Sequence, residues 1–376
     1  MTHLTRTRAM LLGGAAAIAM IGAVGTAAAQ ECQQGAGGAG SLACGPTAIA
    51  EGPLSVAIGD NASTDATAVD GVAIGGEATA PRPSTTAVGG ESVATGPGAS
   101  AIGWQAQATA ERAQAIGHLA TAQGVRSLAV GENADAQTDL STAIGNESVA
   151  NGVDALAVGD TAAANGNSTT AIGGESVATG PGASAIGWQS MATAERAQAI
   201  GHLATAQGVR SLAVGENADA QSDFSTAIGN ESIANGTDAL AIGDTSVASG
   251  TSTTAVGGES VANGTAATAF GWQAQATAER AHAFGHLAAA SGVRSTAIGE
   301  AAMAMGSGSI ALGNQAVAAA DNSVAIGDGA TETRANEFVL GNGANTYRAA
   351  GIASDASTAA QGTPIGVVTS DAQGNL

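Results

Sequence analysis

One short phrase, Ala followed by a branched apolar or aromatic residue and then Gly, recurs along this chain with a spacing that no globular domain has reason to keep. It opens at Ala57 and, after a two-residue insertion, at Ala73; from there it returns every fourteen residues through Ala325, with a last variant at Val339-Leu340-Gly341 still in phase. A unit repeated at fixed period cannot bury its apolar face alone and must stack on its neighbours, so the chain reads as a one-dimensional array.

Counting from each opening Ala gives fourteen columns. The first and eighth are Ala in almost every unit, the third is Gly, the sixth is Ala or Ser, and the second is the large apolar one. Alternation around the triplet has the period of a strand, and Gly or Asn near the tenth column supplies a corner. Each unit is therefore a coil of two short strands and two turns, stacked in parallel at ~4.8 Å per rung, so that about twenty rungs would make a rod on the order of 100 Å long. If columns one, six and eight face inward, the two strands of a coil lie close, with room for methyl groups only. Composition agrees, since aromatics are 2% of the chain and glycines number 56, too little bulk for an ordinary globular core.

The second column then points outward. It forms an apolar stripe through Ile102, Ile116, Val130, Ile144, Ile186 and Ile200. Burying each such side chain is worth roughly 1.5–3 kcal/mol, so self-association along the stripe is expected. A slower repeat overlies the first: the block beginning at Ser84 returns at Ser168 and, more diverged, at Ser252, which is 84 residues or six coils.

Positive charge comes from eleven arginines and no lysine against 31 acidic residues, for a net charge of −20. That balance excludes nucleic acid as a partner, because nothing neutralises a run of phosphates. Residues 1–29 read as a secretory signal, with Arg6 and Arg8 ahead of an apolar run and Ala27-Ala28-Ala29 as the cleavage site. Residues 30–56 form a Gly/Ala-rich segment holding Cys32 and Cys44. In an oxidising compartment the two can close a small loop, and with no nearby His they make a poor zinc site.

The residues that interrupt the monotony come at six-coil intervals. Trp104, Trp188 and Trp272 occupy the fourth column, and His118, His202 and His286 follow one coil later in the same column. Arg112 with Arg126, Arg196 with Arg210, and Arg280 with Arg294 stack in the twelfth. Two readings stand. In one, these groups are a repeated ligand patch in which Trp stacks on sugar or peptide and the arginines hold carboxylate or sulfate. In the other, Trp and His fill a groove between chains while the arginines balance Glu111, Glu195 and Glu279. Copies roughly 29 Å apart cannot converge on a metal within one chain, so no metal or cofactor is expected. Asp60, Asp160, Asp244 and Asp328 recur singly and fit corner hydrogen bonds. No paired carboxylates, nucleophile elbow or phosphate-cradling loop occurs, so catalysis is not expected.

The segments "STAIGNESVANG" (Ser141–Gly152) and "NSVAIGDGA" (Asn322–Ala330) resemble the head repeats of YadA-like trimeric autotransporter adhesins. The resemblance covers residues 57–341 and implies a left-handed parallel β-roll, association into a homotrimer, display at the outer membrane after secretion across the inner one, and attachment to host matrix proteins or cell-surface receptors. Residues 342–376 resemble the neck-like transition below such a head, with Tyr347–Gln361 as the crossing between chains. The family's coiled-coil stalk and C-terminal β-barrel anchor, its only contact with the membrane, have no counterpart here, and the reading adopted is a fragment of a longer protein. The expected function is a multivalent adhesin head. The alternatives are a surface spacer or biofilm-matrix element without a receptor and, behind it, an ice-binding surface, for which the Thr85-Thr86, Thr169-Thr170 and Thr253-Thr254 pairs are too sparse.

Overall fold

A computed structural model describes residues 32–36, 40–348, 354–363 and 369. The expected signal segment lies outside them, as does part of the expected neck. Among the described residues no helix is long and apolar enough to cross a membrane. The chain divides into two compact units, residues 1–136 and 137–376.

The first unit is a stack of parallel coils. Its three-residue strands run from Leu42–Cys44 through Val56–Ile58, Ser100–Ile102 and Gln114–Ile116 to Leu128–Val130, and each pairs with the next so that like columns meet: Ala43 with Ala57, Ala101 with Ala115, Ala115 with Ala129. Two-residue strands such as Gln107–Ala108 and Thr121–Ala122 form a second parallel ladder on the other side of the coil. The two inserted residues are absorbed in the turn after Ser63–Thr64, where Ala68 turns inward and is fully buried, so Val56–Ile58 still meets Val72–Ile74 in register. The ladder also begins one coil ahead of Ala57, at Leu42–Cys44. There Gln33–Gln34 pairs antiparallel with Leu42–Cys44, and Cys32 is disulfide-bonded to Cys44.

The second unit repeats the plan. Three-residue strands run from Thr142–Ile144 to Val324–Ile326 and Phe338–Leu340, and two-residue strands from Val149–Ala150 to Val317–Ala318. Near its C-terminal end a helix, Asp355–Ala360, is capped by Ser354, whose hydroxyl accepts from the Ser357 N–H. The protein is thus an all-β solenoid of fourteen-residue coils.

Why such a thin coil holds together is visible in its interior. Every buried apolar residue among those described is alanine, and apart from Ala68 in the inserted turn all come from columns one, six, eight and thirteen, as at Ala101, Ala106, Ala108 and Ala113. The largest fully buried side chains are Thr64, Thr85, Thr169 and Thr253. Some inward hydroxyls bond back to the corner: Thr169 donates to the Gly166 carbonyl at 2.6 Å and Ser141 to the Thr138 carbonyl at 2.6 Å, three residues back in each case, whereas those of Ser127, Ser211, Ser260, Ser295 and Ser309 have no partner among the described residues. The thirteenth column was not read as inward from the sequence. At Glu332 a carboxylate takes the place of the eighth-column alanine and is 5% exposed, with one oxygen accepting from the Ala320 N–H.

The turns are set by backbone sterics. Third-column glycines adopt φ near +134°, as at Gly103 and Gly229, a region closed to side chains. The fifth and twelfth columns are left-handed at ordinary residues, with φ 54° at Gln105, 57° at Arg112 and 60° at Arg126. Each such residue costs roughly 1–2 kcal/mol. The cost is offset by hydrogen bonds to the preceding coil, Gln105 N–H to the Gly90 carbonyl and Arg112 N–H to the Pro97 carbonyl, both 2.9 Å.

Candidate functional site

The first turn of each coil carries the third, fourth and fifth columns at one end of the strands; the second turn carries the tenth to twelfth at the other. Because columns stack in register, the fourth residues of successive coils form a ladder along that edge.

In three places this ladder reads Trp, His, Glu. Trp104 stacks on His118 with ring centroids 4.9 Å apart and planes 18° from parallel; Trp188 on His202 and Trp272 on His286 do so at 5.0 Å and 20°, and at 4.9 Å and 22°. The imidazole in turn meets the glutamate one coil further: Nδ1 of His118 lies 3.2 Å from Oε1 of Glu132, that of His202 3.2 Å from Glu216, and that of His286 3.5 Å from Glu300. On its other side each indole lies over a glycine. A Cβ at Gly174 would stand 3.2 Å from Cδ1 of Trp188, and Gly90 and Gly258 bear the same relation to Trp104 and Trp272. Column four sets no side chain against that face, and the tryptophans remain 45–46% exposed.

The glutamates of these triads escaped the sequence reading, which looked for charged partners beside the arginines. The spacing that reveals them is the fourteen-residue step itself, since Glu132 stands one coil below His118. Further along the same ladder Asp160 and Asp244 accept from Asn146 and Asn230, both at 2.9 Å. These bonds join side chains of adjacent coils.

The arginines are not with the aromatics. Their twelfth column lies in the second turn, so one coil holds Trp188 at one edge and Arg196 at the other, separated by the strand Met191–Ala192. Arg112, Arg196 and Arg280 pair with the adjacent Glu111, Glu195 and Glu279 at 3.9, 3.9 and 3.5 Å, with side chains 54–61% exposed; such exposed pairs contribute little to stability. Arg210 places its guanidinium 5.9 Å above the Phe224 ring. Arg126 and Arg294 continue the same column.

The second-column stripe points outward. Ile102 is 41% exposed, and Ile116, Ile144, Ile186 and Ile200 are 36–37% exposed, with Val130 half-buried. Two more outward columns prove rich in large apolar residues: the fourteenth, beside the stripe (Leu128, Leu156, Leu212, Leu240), and the seventh, on the opposite ladder (Val149, Val177, Met191, Ile233, Val247). On that opposite face a shallow depression of about 500 Å³ is lined by Asp219, Ile233 and Val247 with Asn217, Glu231 and Thr245.

A solenoid of alanine-cored coils, presenting side-chain ladders on its edges and faces, belongs to the class of β-solenoid repeat proteins. The family described as the YadA head domain repeat (2 copies) matches residues 36–62, 66–92, 94–176, 178–204, 206–232, 234–260 and 262–330. The chain belongs to that family, which is of the adhesin type. Among solved structures it is similar to the collagen-binding domain of the Yersinia adhesin YadA, at 24% identity over 38% of this chain and 72% of that one, with a TM-score of 0.29. No curated protein matches the chain.

Proposed function

We propose that this protein is the head of a surface-displayed homotrimeric adhesin that attaches its cell to matrix proteins, to other cells or to surfaces. The observation that carries the reading is the uncovered second-column stripe. The coil interior holds little larger than Ala, Ser and Thr, so the protomer has no way to shelter a row of Ile, Val and Phe by itself, and a partner's stripe is the natural cover. Membership of a family of adhesin heads supplies the role, and the six-coil repeat supplies its physics: whatever surface feature binds is present several times per chain, so weak contacts engaged together give avidity in place of single-site affinity.

The test is the mass of the purified head by light scattering, followed by binding to surfaces coated with collagen, fibronectin or laminin and to bare abiotic surfaces. A trimer that adheres to one of them and releases on dilution of valency supports the reading. A well-folded monomer at micromolar concentration overturns the trimer, and a trimer that adheres to none of these surfaces favours the spacer.

A further inference from the structure

The three arginine pairs keep a fixed phase with the three Trp-His-Glu triads, although the two groups sit at opposite turns. Arg196 comes eight residues after Trp188 and six before His202; Arg210 comes eight after His202 and six before Glu216. The same offsets hold for Arg112 and Arg126 against Trp104, His118 and Glu132, and for Arg280 and Arg294 against Trp272, His286 and Glu300. Within a chain this phasing has no use, because the turns stand apart by the length of a short strand, on the order of 15 Å.

Between chains it has one. In a cyclic oligomer each protomer meets its neighbour through two different edges at the same height along the symmetry axis. If neighbours meet turn to turn, the first turn of one chain faces the second turn of the next. With a rise of about 4.8 Å per fourteen residues, an arginine six residues ahead of a glutamate lies only about 2 Å from its level. Arg210 of one chain then falls between His202 and Glu216 of its neighbour, and Arg196 between Trp188 and His202. The surfaces are complementary in charge: exposed carboxylates at Glu132, Glu216 and Glu300, 59–65% exposed, would face guanidinium groups in a chain otherwise poor in cations.

We propose that each Trp-His-Glu ladder is the docking site for the arginine pair of a neighbouring copy of this chain, and that the three sets act as register locks along the oligomer. The apolar stripe is nearly uniform from coil to coil and tolerates a slip of one rung. The locks do not: a one-rung slip one way carries both arginines off Glu216, and the other way takes Arg196 off Trp188 and sets Arg210 between Glu216 and Asn230, so they specify alignment more than they add affinity. The proposal rests on the self-association reading above.

The test uses the whole head. Arg210→Cys combined with Glu216→Cys, treated with a short bis-maleimide, is expected to yield covalent trimers in denaturing gels, since the two positions in one chain are too far apart to be bridged. In parallel, Arg210→Glu is expected to raise the concentration at which trimers dissociate about tenfold or more, as like charges meet across the interface, and Arg210→Glu with Glu216→Arg to restore it. A monomeric wild-type head sinks the association reading and this inference with it. A wild-type trimer without cross-linking or charge-swap rescue overturns the inference alone. So does a trimer unaffected by Arg196→Ala and Arg210→Ala whose attachment to a coated surface is lost, since the arginines would then serve a ligand.

Discussion

Gly201→Ala should break the second unit where it stands. Gly201 holds φ at +137°, a conformation whose occupation by an L residue costs on the order of 1–3 kcal/mol. The added Cβ would also sit 2.7 Å from the Gly215 carbonyl carbon and nearer still to its oxygen, and both are backbone atoms that no rotamer change can move. Relief requires the coils at 199–212 and 213–226 to part, at the expense of hydrogen bonds such as Gly215 N–H to the Ile200 carbonyl and Asn217 N–H to the His202 carbonyl, both 2.9 Å, each worth about 1 kcal/mol. Together these losses reach roughly 3–5 kcal/mol, beyond most substitutions. Because coils interact only with their neighbours, the damage should appear as a split or broadened urea transition by circular dichroism, with hydrogen exchange accelerated on both sides of residue 201. Leu203→Gly serves as the control: two residues away, at φ 57°, it should be neutral or stabilising by up to about 1 kcal/mol. If Gly201→Ala unfolds within 1 kcal/mol of wild type, the claim that interlocked glycine turns set the coil-to-coil spacing is wrong.

Ala164→Leu, in the fully buried eighth column, should cost about 1–3 kcal/mol by overpacking; Ile186→Asp, 37% exposed, should leave the coil intact within about 0.5 kcal/mol but reduce association, and equal effects of the two on unfolding would contradict the inside and outside assignment. Cys44→Ser should loosen residues 32–44 by about 3 kcal/mol, the chain entropy of a loop of that size, seen as rapid exchange at Gln33 and Gln34 while coils beyond Val72 keep their protection. Hydrogen bonds from the Thr333 N–H and hydroxyl and from the Arg334 N–H, with the Arg334 guanidinium 3.7 Å away, hold the Glu337 carboxyl below its usual value of 4.5. A depressed folded-state value means stability that is full above pH 4.5 and lost as pH falls through the folded value, so exchange at Phe338–Leu340 should quicken in acid, and Glu337→Gln should abolish that dependence.

How much of this was legible beforehand depended on whether a property lives in one column or between columns. The coil, its two strands, and the inward alanines at columns one, six and eight follow from spacing alone, because a residue's face is fixed by its place in the period. The thirteenth column was harder: it mixes Ala113, Ser127 and Thr169, and hydroxyl residues beside a turn read as turn formers until the structure shows them buried. The seventh-column ladder was obscured in the same way, since Val149 and Val177 alternate with Ala163 and Thr205 and break the apolar run that the eye seeks. The functional residues divide along the same line. Trp188 over His202 and His202 beside Glu216 are same-column contacts, available to anyone who writes the chain in rows of fourteen, and the glutamate was missed only because charged partners were sought beside the arginines. The placement of Arg196 and Arg210 needed the cross-section of the coil, which is a matter of where two turns point and not of period. A chain that specifies its fold by repetition therefore states its interior plainly, and its surface chemistry only where the repetition is broken. Those breaks return every six coils in an unchanged phase because the 84-residue repeat is a whole number of coils, which keeps every column in place.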